Sequence, residues 1–143
     1  MGRFKAFVTG SIVVAAVFSG SVAFAKPLSE QQWRKQANVF CRQSNNEFKK
    51  IIATAFAGLG PNDQPSAEQN AAFAEAAAPS IARGVASIDA LKEPKALKRD
   101  VAKWLALGKK AAAGMTANPG PENDAQFAKV NRLGKRLGLV CGG

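Results

Sequence analysis

Residues 29–61 read SEQQWRKQANVFCRQSNNEFKKIIATAFAGLGP, and the spacing of their apolar side chains decides the fold. Ser29 is a strong N-cap, and Gln32 three residues on can return a hydrogen bond to the Ser29 backbone N–H, the reciprocal pair that marks a helix start. Trp33, Ala37, Phe40, Ser44, Phe48, Ile51, Ala55 and Leu59 follow at steps of three and four, which makes one apolar stripe on a 3.6-residue helix with Cys41 on its flank. Lys35, Arg42 and Lys49 lie on the opposite face. Gly58 and Gly60 supply left-handed residues for a helix end, and Pro61 prevents continuation. Such a helix is ~40 Å long. Alone in water it would expose its phenylalanines, so it requires partners.

The rest of the chain supplies three. Ser66 with Gln69 repeats the capping pattern and opens a second, alanine-rich helix with Phe73, Ala77, Ile81, Val85 and Ile88 inward. Pro79 within it removes a backbone donor, which predicts a kink rather than a break. A third helix is expected from about Pro94 to Thr116, with Leu97, Val101, Trp104, Gly108, Ala111, Ala112 and Met115 inward. A fourth is expected to be capped by Asn123 or Asp124 and to bury Phe127, Val130, Leu133, Gly134 and Leu137, with Gly138 and Leu139 forming a Schellman ending. No alternating run of strand type occurs. The predicted fold is an all-α, up-down-up-down four-helix bundle.

Met1 to Ala25 has a basic start, an apolar middle and the small-x-small sequence Ala23-Phe24-Ala25, the pattern of a cleaved signal peptide (1–25). The single domain is then 26–143, which carries 18 Lys+Arg against 10 Asp+Glu. Its first cysteine is Cys41, too far from the cleavage point for a lipoprotein. Two cysteines in an exported chain most simply form one disulfide, Cys41–Cys141. In an up-down bundle the chain end after the fourth helix returns to the start of the first, within reach of Cys41. A secreted or envelope location follows, peripheral to a membrane at most.

The Trp33 and Phe40-Cys41 positions, the Ile88, Leu91 and Pro94 junction, and the ending Leu137-Gly138-Leu139-Val140-Cys141 are similar to those of small exported helical proteins common in actinobacteria. In that group the proline stands one position later relative to Leu91. The resemblance covers the mature chain and implies the bundle and the disulfide. It implies no activity for any residue.

Chemistry is scarce. The chain has no histidine and no tyrosine, which removes Ser-His-Asp and Cys-His catalysis and the commonest metal and haem ligands. Neither a phosphate loop nor a dinucleotide fingerprint occurs. The expectation is a protein that is not an enzyme and holds no cofactor or metal. Charge is uneven: residues 61–91 carry one base and four acids, whereas every other segment is basic. Lys129, Arg132 and Arg136 fall opposite the apolar stripe of the fourth helix, joined by Lys49, Arg99 and Lys110 on the first and third. This predicts a basic side suited to an anionic envelope polymer, lipid head groups or another envelope protein, with no specific nucleic acid as partner. Two other classes stay open: a structural or protein-interaction module whose charge only keeps it soluble, and a carrier of a small apolar ligand between alanine-rich helices. An apolar cavity favours the carrier, and a solid core excludes it.

Overall fold

A computed structural model describes residues 26–117 and 119–142, so the signal-peptide expectation for 1–25 lies outside the described residues. Four helices, α1 (Glu30–Ala55), α2 (Ala67–Asp89), α3 (Lys98–Ala117) and α4 (Pro121–Leu137), follow one another with no strand among the described residues. Both capping boxes form. Ser29 Oγ accepts from the Gln32 N–H at 3.2 Å while Gln32 Oε1 accepts from the Ser29 N–H at 3.1 Å, and Ser66 with Gln69 repeats the pair at 3.1 and 2.9 Å. Pro79 stands inside α2, which runs through it as one helix. At the end of α4, Gly138 takes φ 76°, open to a residue without a Cβ, and the Leu139 N–H reaches back to the Gly134 carbonyl at 2.9 Å. Leu139 is buried there.

Three boundaries differ from expectation. The regular part of α1 stops at Ala55, and residues 56–59 wind on as turns, with the Leu59 N–H on the Phe56 carbonyl, to Gly58 at φ 84°. The third helix starts at Lys98, because Pro94 to Leu97 closes first as a separate turn, the Leu97 N–H on the Pro94 carbonyl at 3.0 Å. The fourth starts earlier, at Pro121 behind Gly120. A proline suits the first helical position, and the Asn123 and Asp124 N–H groups both close onto the Gly120 carbonyl. Asn123 is thereby buried rather than used as a cap.

Trp33, Ala37, Cys41, Val85, Ile88, Val101, Trp104, Leu133 and Leu137 belong to the main core cluster, and Ala74, Ala77 and Met115 form a smaller one toward the other end. Helix α1 packs on α2, α2 on α3 and α3 on α4, whereas α1 and α4 hardly touch along their lengths. The seams explain this asymmetry. Where α1 meets α2, a Cβ at Gly84 would stand 2.6 Å from Ser44 Oγ; between α2 and α3, one at Gly108 would stand 3.0 Å from Val85 Cγ2; between α3 and α4, one at Gly134 would stand 3.1 Å from Trp104 Nε1. Each of these seams closes because one helix offers only backbone there. The α1–α4 seam has phenylalanines instead.

At one end that fourth seam is closed by the tail. Cys41 and Cys141 are joined in a disulfide with Cα atoms 4.6 Å apart. Arg34 Nε donates to the Leu137 carbonyl, Asn38 Nδ2 to that of Gly138 and Asn45 Nδ2 to that of Val140, each at 2.9 Å. In return the Val140 N–H donates to Asn38 Oδ1 at 2.8 Å and the Gly142 N–H to Asn45 Oδ1 at 3.3 Å. Two asparagines seven apart thus hold the tail as a neighbouring strand would.

One polar link crosses the α1–α2 seam. The buried Ser80 hydroxyl donates to Glu47 Oε2 at 2.8 Å, and Arg83 reaches the same oxygen at 3.2 Å. The hydrogen bond from Ser80, then that from Arg83 and its charge, hold the Glu47 carboxyl below its ordinary value. A carboxyl whose folded pKa is depressed stabilises above its unfolded pKa, and the benefit disappears as pH falls through the folded value. The carboxylate is half exposed, so the effect is small. Glu47→Gln is expected to melt slightly lower than wild type at pH 7, with the difference closing below about pH 4 in thermal scans. A gap that persists at pH 3 would contradict the linkage.

Candidate functional site

With three seams closed and the fourth held only at its tail end, a groove of about 560 Å3 opens between α1 and α4. Ligand pockets commonly fall between about 300 and 1,000 Å3. Its floor comes from α2 and α3: Ile81, Gly84, Val85 and Ile88 from the first, Trp104, Gly108 and Met115 from the second. On the α1 wall stand Phe40, Ser44, Asn45, Phe48, Lys49 and Ile52. The α4 wall is Asp124, Phe127, Val130 and Asn131, and Cys141 with Gly142 shuts the tail end. Phe73 closes the far end, edge-on to Phe48 with ring centroids 5.5 Å apart and 5.2 Å from Phe56.

Helical spacing places Phe40, Phe48, Phe73, Ile81 and Phe127 inward, and the structure agrees on direction but leaves each of them half-buried. They face the groove rather than a fourth packed seam. Phe40, Phe48 and Phe127 put large rings on this side of the bundle, whereas the three closed seams have Gly84, Gly108 and Gly134.

The six bases expected on one side are all exposed. Lys129, Arg132 and Arg136, at steps of three and four, share the outer face of α4. Lys49 stands across the groove on α1 and is the only cationic side chain lining it among the described residues. Arg99, at the start of α3, has a side chain 96% exposed and its nearest acid, Asp100, at 3.8 Å. Lys110 is three turns further along α3. The groove therefore separates Lys49 from the α4 group. Neither Lys49 nor Asp124 enters an ion pair among the described residues.

Among the described residues no group of three or more His, Cys, Asp or Glu side chains could hold a metal ion, and no helix is long and apolar enough to cross a membrane. Both cysteines are occupied in the disulfide, which fits a non-reducing, extracytoplasmic setting. Compared with models of protein families, with curated proteins and with solved structures, the chain matches none.

Proposed function

We propose that the protein is an exported carrier that binds a small apolar molecule in the groove between α1 and α4. The observation that carries this reading is the open fourth seam: an apolar trough of about 560 Å3, walled by phenylalanines, in a bundle whose other three seams are closely packed. A monomeric bundle gains by burying such side chains, at roughly 1.5–3 kcal/mol for each large one fully buried. Leaving several of them only partly buried in one concave site favours a ligand position over a solvated face. The basic outer face of α4 then draws anionic ligands or envelope material toward the groove, an attraction that salt weakens.

Native mass spectrometry of the protein recovered from its own envelope should show a retained molecule, and N-phenyl-1-naphthylamine should gain fluorescence on saturable binding to the emptied protein. Ile52 sits at the rim and is 39% exposed, so Ile52→Asp should weaken dye binding several-fold with little change in melting temperature. No adduct and no saturable dye binding would refute the carrier reading.

A further inference from the structure

The groove is elongated. From Phe40 to Ile52 its α1 wall runs about 18 Å at the helical rise, between one helix on each side and a floor supplied by α2 and α3. A ligand as broad as it is long does not suit such a trough; one extended chain does.

Its polarity is equally uneven. The floor is hydrocarbon, aromatic ring and glycine, and the polar groups are confined to the two walls and the tail. Asn45 is already committed, both ends of its amide being engaged by the tail backbone. Two donors remain uncommitted: the Lys49 ammonium, in no ion pair, and the Asn131 amide, in no side-chain hydrogen bond among the described residues. They line opposite walls. Asp124 lies two turns before Asn131, in the first turn of α4 toward the other end of the groove. Besides Lys49, the two flanking helices carry exposed bases, Arg42 on α1 and Lys129, Arg132, Lys135 and Arg136 on α4. A cationic ligand would meet repulsion from them. An acid group is attracted, and at the rim it stays partly hydrated, which avoids the large cost of burying a charge in the apolar floor.

We infer that the ligand is a single-chain anionic amphiphile, its hydrocarbon chain lying along the α2–α3 floor and its acid group at the mouth against Lys49, with Asn131 as a second donor. This rests on the reading of the groove as a ligand site. Lys49 is then a specificity residue: it selects the charge of the head group, and the phenylalanines hold the chain whatever its head.

The test uses the purified protein with cis-parinaric acid, its neutral methyl ester, and palmitate, hexadecanol and hexadecylamine as competitors. Wild type should bind one equivalent of the acid, tighter than the ester, and palmitate should displace it better than the alcohol or the amine. Lys49→Gln should raise the Kd for the acid about tenfold, the scale of one charge-assisted contact, and leave the ester unchanged. Lys50→Gln, on the same turn but outside the groove, should alter neither. Equal binding of acid and ester by wild type, competition by the amine as strong as by palmitate, or an acid Kd indifferent to Lys49→Gln would overturn the head-group assignment while leaving the groove as an apolar site. Binding of neither probe by wild type would instead remove the carrier reading itself.

Discussion

Replacing Cys41 and Cys141 together by serine is expected to cost about 2–5 kcal/mol of stability while leaving helix content unchanged at low temperature. The two cysteines are 100 residues apart, so their bond closes nearly all of the described chain into one loop. On the chain-entropy estimate a loop of that length restricts the unfolded ensemble by about 4.7 kcal/mol. In the folded state the cut costs less, because the tail remains tied to α1 by hydrogen bonds from Arg34, Asn38 and Asn45 and by those its own Val140 and Gly142 amides return. The double variant should therefore fold, with a circular-dichroism spectrum like wild type at 10 °C, and unfold at much lower temperature or urea concentration. Intact mass should show two alkylated thiols only after reduction of wild type. Cys141 and Gly142 also shut one end of the groove, so dye binding should weaken in the same variant. An unchanged denaturation midpoint would mean that the tail bonds alone restrict the chain, and would discard the entropic account.

What could be read from sequence was what local rules decide. Ser29 with Gln32 and Ser66 with Gln69 announce helix starts because the bonds involved span three residues, and Gly138 with Leu139 announces an end for the same reason. The disulfide followed from an even cysteine count and the expectation of export, and the bundle from stripes that each need cover. The starts of α3 and α4 were harder, because a proline can open a helix or only the turn before one: Pro121 does the first and Pro94 the second. The groove was not legible from periodicity. Phe40, Phe48 and Phe127 occupy inward positions either way, and a 3.6-residue repeat says which face is apolar but not whether a neighbour covers it. A signal was nonetheless present in the small residues: Gly84, Gly108 and Gly134 each serve a closed seam, whereas between α1 and α4 a glycine closes onto the other helix only at the tail end, Gly138 against Arg34. Asn38 and Asn45, flanking Cys41 at a spacing of seven, carry no local signal. Their role depends on a tail that arrives from about 100 residues away.

Trp33→Ala is expected to be the most damaging single core substitution on α1, at about 3–5 kcal/mol, while Trp33→Phe should cost under about 1.5 kcal/mol. Trp33 is wholly buried in the main cluster, one helical turn before Ala37 and two before Cys41. Truncation to alanine removes the indole and leaves a cavity, and Ala37 is too small to fill it. The phenylalanine variant tests a second feature. The Trp33 indole N–H has no hydrogen-bond acceptor on the protein among the described residues. A buried donor without an acceptor costs about 1–3 kcal/mol. Replacing indole by phenyl removes that donor along with part of the ring, so the two effects oppose and the net loss is small. Urea denaturation followed by circular dichroism gives both values, and with no tyrosine in the chain the emission of Trp104 reports the core independently. With total stabilities of domains near 5–15 kcal/mol, the alanine variant should be visibly destabilised and the phenylalanine variant close to wild type. If Trp33→Phe proves as damaging as Trp33→Ala, the indole N–H is making a bond that stabilises the core, and the opposition argued for this side chain fails.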